Sequence, residues 1–380
     1  MKKNICYIIV SVLLTGCIYP YTADIEEAEV ARDLVIDANI LLGNTSYVSL
    51  TYLQPLEVGK QNYGFAGYPQ ATVYLEDENG QQYNATGNNG NYQLNIPEIS
   101  GGKYRLTVNC NSQVYRSDWI VPVAPPQVKN ISFSADEDNV YVKVSIQDDG
   151  SGSGYATVQF DEIWHFHTDF IRSYYYNEDQ NSVGMLIKPD MSKYWCWMKS
   201  KSPLQKLIDY SSLGGKVDDY MFHAFSRSDG RNLDEYNVRV KVWNLTQEQF
   251  IYRKQLEENA SIGGNLFSPE PGEVRGNVFC ESNPDARVFG YVNISRVATL
   301  SKTLPSTYSK WHTTAILTEV DPEDWPKYYG MGYLPVEQII SQKGGTVVGW
   351  GHARCFDCVA AGGTLEKPLF DDEQGYILGD

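Results

Sequence analysis

The sequence predicts a mainly β protein. An N-terminal β-sandwich of immunoglobulin or transthyretin type precedes a larger, β-rich α+β domain with one clear helix. Three observations lead there. Short runs alternate apolar and polar residues with period two, Gly, Asn and Asp turn signals separate them, and one stretch alone carries a full set of helix-start signals. Aromatic residues make up 13% of the chain, with 28 Tyr, which suits half-buried strands.

The chain opens on a targeting pattern. Lys2 and Lys3 form a positive n-region, and Ile5 to Leu14 an apolar run far shorter than the roughly 20 residues a permanent spanning helix needs. Leu14-Thr15-Gly16-Cys17 then reads as a lipobox: residues 1–16 are a lipoprotein signal peptide, and Cys17 becomes the acylated N-terminus. Two or three acyl chains anchor firmly where one would be marginal. Ile18 follows where Asp would retain a lipoprotein at the inner membrane, so the expectation is an outer-membrane protein held by lipid alone. Residues 17–32 form an acidic tether with Asp24, Glu26, Glu27 and Glu29.

From Asp33 the strands begin. Leu34 to Ile40, Tyr47 to Leu53, Ala71 to Leu75, Tyr92 to Ile96, Tyr104 to Val108 and Val114 to Val121 are short runs of strand type, and Asn79-Gly80 marks a tight hairpin. They define a sandwich over 33–121. Pro122-Val-Ala-Pro-Pro126 cannot continue a ladder and makes 122–126 a linker, leaving 127–380 as the second domain. There Val140 to Ile146, Tyr155 to Phe166 and Glu235 to Asn244 are predicted strands. The intervening Asp148-Asp149-Gly150 lacks the spacing of a calcium loop and reads as a hairpin tip. The helix starts at Thr246, where Thr246 and Gln249 form a capping box and Leu245 and Phe250 a hydrophobic staple, and Gly263-Gly264 ends it. Val274 to Cys280 and Arg287 to Arg296 return to strand, and a short helix is expected after Pro335.

Tyr236 to Arg296 closely resembles the Bacteroidota outer-membrane lipoproteins grouped as domain of unknown function 4249. The carrying residues are Tyr252, the run Gly263-Gly264-Asn265-Leu266-Phe267-Ser268-Pro269-Glu270-Pro271, then Val274-Arg275-Gly276-Asn277-Val278 and Gly290-Tyr291-Val292. Arg354-Cys355-Phe356-Asp357-Cys358, Gly362-Gly363 and Lys367-Pro368-Leu369-Phe370 are similar to the family's ending, although Asp371 stands where the family usually has Trp. The first domain fits the family's N-terminal sandwich, so the resemblance spans almost the whole mature chain. It implies surface lipoproteins often encoded beside TonB-dependent receptors, with no established activity. The acidic tether also resembles their surface-export signals, though it starts further from Cys17 than the usual pattern.

Composition narrows the partners. A net charge of −16, more acidic still once Lys2 and Lys3 leave, repels nucleic acid and anionic headgroups. Of seven Cys, Cys6 leaves with the signal and Cys17 carries lipid, which leaves an odd number in an oxidising compartment. Cys355-x-x-Cys358 lacks the following helix of a redox pair and the His of a haem-attachment site. With His352 it offers three zinc ligands instead of four. It reads as a disulfide closing a small loop, with Cys280 an alternative partner for either thiol.

His165, His167 and Asp169 are spaced to share one strand face and are candidate metal ligands. The alternative is that they are polar residues on a wet face. Glu162 is a candidate for a structural hydrogen bond before a catalytic carboxylate. Tyr174, Tyr175, Trp195, Trp197 and Trp325 are candidates for a stacking platform for a glycan or peptide, against ordinary packing. No nucleophile elbow, zinc-protease motif or phosphate loop occurs. The expectation is a non-catalytic surface lipoprotein, without cofactor, that assists a TonB-dependent importer as an accessory or cargo binder. A surface hydrolase acting on glycans or peptides, or a structural adhesive, are the alternatives.

Overall fold

The computed structural model describes residues 33–53, 69–98, 102–148, 153–202, 205–261, 274–311 and 315–370. The signal segment, Cys17, the tether, the run Gly263 to Pro271 and Asp371 lie outside the described residues. The protein is mainly β, as expected, and the alternation read from the sequence is what builds it.

In β1 (Leu34–Leu41), Leu34, Ile36, Ala38 and Ile40 point inward. It pairs antiparallel with β2 (Thr45–Tyr52). Then come β3 (Ala71–Asp77), β4 (Gln82–Asn84), β5 (Thr86–Asn88), β6 (Asn91–Asn95), β7 (Tyr104–Cys110) and β8 (Gln113–Ser117). Two sheets result, one with β1-β2-β6-β5 and one with β8-β7-β3-β4. They bury a shared core that includes Ile36, Leu50, Leu75, Leu94 and Leu106.

The second body is also two sheets around a core. β9 (Gln127–Ala135), β10 (Asn139–Gln147) and β16 (Lys216–Ser226) form a sheet in the order β16-β10-β9. Facing it, the 13-residue β11 (Tyr155–His167) sits between β14 (Trp195–Lys201) and β17 (Glu235–Asn244), with β15 (Lys206–Asp209) against its first residues. Val142, Val144, Val158, Val238 and Val240 meet between the sheets. β12 (Arg172–Asn177) and β13 (Ser182–Asp190) form a hairpin inserted between β11 and β14.

Helix α1 (Gln247–Ser261) begins where the capping signals place it. Thr246 Oγ1 accepts from the Gln249 amide at 3.2 Å, and Leu245 and Phe250 cluster with Trp243 and with Leu41 of the first sandwich. The linker is pinned nearby, because Asn244 Nδ2 donates to the Ala124 carbonyl at 2.9 Å.

The chain then re-enters the first sandwich, and this corrects the boundary expected at 127–380. β18 (Val278–Cys280) extends the sheet at β8, while β19 (Val288–Phe289) and β20 (Val292–Ser295) pair parallel with β1. Residues 278–295 therefore complete the N-terminal sandwich. Gly290, at φ +103°, makes the turn between the last two of these strands, and a Cβ there would lie 2.0 Å from the Ile36 carbonyl oxygen. A Cβ on Gly276 would lie 1.5 Å from the Gly290 oxygen. Backbone meets backbone, which only glycine allows.

β21 (Ala298–Pro305) completes the sheet at β17. The remainder is a small lobe of β22 (Thr318–Glu319), α2 (Trp325–Gly330), β23 (Tyr333–Ile340) and β24 (Thr346–His352). The helix expected after Pro335 is instead strand β23, with a bulge between Pro335 and Glu337 that accommodates the ring. The short helix precedes it, opening with Pro326 in its first turn. Among the described residues no helix is long and apolar enough to cross a membrane.

Candidate functional site

Strand β11 presents two chemistries, one on each face. On the inner face, between Phe160 and Trp164, stands Glu162, whose side chain is 3% exposed. Tyr236 donates its hydroxyl to Glu162 Oε2 at 2.7 Å. His223 Nε2 lies 3.0 Å from the same oxygen, and Arg231 Nε 3.6 Å away. Burial alone would raise this carboxyl. The hydrogen bond and charge of His223, with Tyr236 and Arg231, outweigh it and hold the carboxyl below its ordinary value. Burial, then the Glu162 charge, push the Tyr236 hydroxyl well up. Arg231 is held over Trp164 with its carbon 5.2 Å from the ring centroid, and its Nη1 reaches Asp229 at 3.2 Å. Groups from β16, β17 and the turn Gly230–Asn232 thus converge on one carboxylate and tie the two sheets together.

The outer face ends in His165 and His167. The β11–β14 register sets His165 opposite Trp197 and His167 opposite Trp195, so period two on both strands brings four rings to one surface. His165 stacks on Trp197 at 4.5 Å and 25° and on Trp195 at 4.9 Å and 23°. His167 stacks on Tyr194 at 4.9 Å and meets Trp195 and Trp311 edge-on at 4.8 and 4.6 Å. Asp234 Oδ2 holds His165 Nδ1 at 2.6 Å. The Lys367 ammonium lies 4.6 Å from the Trp197 centroid and 2.7 Å from Glu235. That contact is the main reason the Glu235 carboxyl falls below its usual value. The strand ends at His167, so Asp169 leaves the face it was expected to share.

What fixes this row is the residue between the tryptophans. Cys196 points inward, fully buried, and bonds to Cys358, with Cα atoms 5.6 Å apart. The disulfide expected between Cys355 and Cys358 is thereby corrected. Cys355 ends a 3-10 turn, faces Leu317, Val336 and Phe356, and is a free thiol. Cys280 is also free and buried, beside Tyr115 in the first sandwich. The bridge draws the C-terminal segment onto β14, where Trp197 and Thr364 exchange backbone hydrogen bonds of 2.7 and 2.8 Å.

The expected aromatic platform is divided. Trp195 and Trp197 share the row above. Trp325 lies in the C-terminal lobe, its indole donating to the Val320 carbonyl at 3.0 Å and packed near Trp350 and Tyr176. Tyr175 covers Gly184 on the hairpin, and Tyr174 sits beside it on β12. Tyr194, Trp311, Asp234 and Lys367 join the row from separate segments. Only the matched alternation of Trp195-x-Trp197 and His165-x-His167 hinted at it.

Fold and site together define a class: a two-sandwich β protein with a partly exposed aromatic row on one sheet. The family described as domain of unknown function DUF4249 matches residues 18–301, and the chain belongs to it. No curated protein matches. Among solved structures, a two-domain fibronectin type III segment of chicken tenascin is similar at 10% identity over 56% of this chain and 89% of that one, with a TM-score of 0.16. Trypsin-activated alpha-2-macroglobulin of Escherichia coli is similar at 10% identity over 57% of this chain and 15% of that one, with a TM-score of 0.18. Likeness at this level says nothing of function.

Proposed function

We propose that this chain is a non-catalytic lipoprotein of the outer membrane, anchored through Cys17, that assists a TonB-dependent importer by holding cargo on the outer face of β11 and β14. The lipobox supports the anchor, and the acidic body suits work outside the cytoplasm. The resemblance to Bacteroidota lipoproteins supplies the importer.

The observation that carries the binding role is the row of His165, His167, Trp195 and Trp197. Rings left partly in water on a rigid sheet are surface that a ligand can cover, at about 25 cal/mol for each Å² of apolar area buried. Because the disulfide fixes the strand, little ordering remains to be done on binding.

The test is to purify the lipidated protein from native membranes in mild detergent and to identify what accompanies it by mass spectrometry. A TonB-dependent β-barrel in the purified complex is the expected result. Recovery of no barrel counts against the proposal.

A further inference from the structure

A cleft lies where the first sandwich meets helix α1, and it shares no residue with the aromatic row. Three separate stretches wall a cavity of about 480 Å³ there: the segment after β8, the first turns of α1, and the returning chain at Asn277 and Tyr291. Small ligands bind preferentially at such junctions.

The walls are fixed. Ile120 exchanges backbone hydrogen bonds of 2.8 and 2.9 Å with Tyr104, and Asn277 commits both ends of its amide to the Val292 backbone at 2.8 and 2.9 Å. Tyr252 and Tyr291 pack with ring centroids 4.9 Å apart. Trp119, 42% exposed, has the Arg105 guanidinium over its ring at 4.4 Å.

One group in the lining is left without a partner. Gln249 is 1% exposed and lines the cavity, yet its Nε2 makes no hydrogen bond. The capping position puts it there, because a residue three past the N-cap Thr246 folds back toward the first turn. Buried amide donors nearly always have an acceptor, so this one calls for an oxygen from a ligand.

The charges say what else that ligand carries. Burial pushes the Tyr291 hydroxyl up against a hydrogen bond with Thr246, and the charges of Glu248 and Asp118 push the same way, so both carboxylates lie near this ring. A helix N-terminus alone invites an anion, but these two acids already answer the dipole and repel a third. Arg275, the only cation among the described lining residues, already has a partner. The lining therefore suits a cation beside an acceptor oxygen, with apolar surface next to both. A lysine side chain carries the charge without the oxygen, whereas the first residue of a peptide carries both.

We propose that this cleft takes the amino end of a peptide. The α-ammonium pairs with Asp118 and Glu248, the first carbonyl oxygen accepts from Gln249 Nε2, and the first side chain lies against Trp119, Tyr252 and Tyr291. The net charge of −16 draws such a cation in from solution.

The experiment titrates leucyl-alanyl-alanine, and the same peptide acetylated at its amino end, into the full-length, detergent-solubilised protein by isothermal titration calorimetry. The free-amine peptide should bind wild type at one equivalent, and acetylation should weaken binding by about tenfold or more. Asp118→Asn and Glu248→Gln should each weaken it severalfold. Gln249→Met, which keeps the length of the side chain and removes the donor, should cost about tenfold. Trp195→Ala should leave the affinity unchanged. No binding in wild type, equal binding of the acetylated peptide, or full affinity in folded Gln249→Met overturns the proposal. So does loss of the peptide in Trp195→Ala, which moves it to the aromatic row. Where Gln249→Met fails to fold, the acetylation comparison decides on wild type alone. A protein that ignores the peptide yet co-purifies with its barrel loses this site and keeps the carrier role.

Discussion

Removing the Cys196–Cys358 bond should cost this protein more than any other change to its cysteines. The bond joins residues 162 apart in sequence, and in the chain-entropy account a loop of that length is worth about 5 kcal/mol through the unfolded state. Both sulfurs are fully buried, between the core strand β11 and the C-terminal segment, so the double variant Cys196→Ala/Cys358→Ala also leaves a gap beside Phe166. Losses on removing native bridges run at about 2–5 kcal/mol, and the length of this loop places it near the top. Guanidinium unfolding followed by tryptophan fluorescence should show the transition of the second sandwich shift to lower denaturant in the double variant. Cys355→Ala should move it far less. Near-UV circular dichroism should weaken in step, because Trp195 and Trp197 flank the lost anchor. A double variant with an unchanged midpoint would refute the reasoning. So would a non-reducing peptide map that joins Cys355 to Cys358.

Other expectations concern the packing. Glu162→Gln leaves His223 and Arg231 facing a neutral amide inside the sandwich, and thermal unfolding should report a loss of about 3 kcal/mol. The same carboxyl sets an acid limit. Its folded value lies below the ordinary 4.5, so its contribution is complete at neutral pH and is lost as pH falls below 4.5 and through the folded value. Melting temperatures of wild type and Glu162→Gln measured against pH should therefore converge at the acid end. Gly290→Ala drives a methyl into the Ile36 backbone at a positive φ, and chemical denaturation should show a loss of about 3 kcal/mol or more.

The sequence exposed whatever was local. The first sandwich was legible because Leu34, Ile36, Ala38 and Ile40 alternate against water within one strand, and α1 because Leu245, Thr246 and Phe250 signal its start within six residues. Pairings between distant segments were not. Nothing near Val292 says that it will lie beside Ala38, since a parallel partner leaves no turn residues to mark it. The second sandwich was obscured by the hairpin inserted between β11 and β14. Cys355-x-x-Cys358 drew attention to its own spacing, whereas the true partner was the inward residue of a Trp-Cys-Trp triplet that alternation assigns to the core. In the candidate site, His165 and His167 shared a face by period two, but Asp234, Trp311 and Lys367 arrive from irregular segments with no periodic signal.

An anchored carrier requires acyl chains on the thiol of Cys17, and metabolic labelling with radioactive palmitate measures that requirement most directly. The account predicts label in the wild-type protein, none in Cys17→Ala, and release of that variant from the membrane. An unlabelled wild type, or a Cys17→Ala protein still membrane-bound, would contradict it.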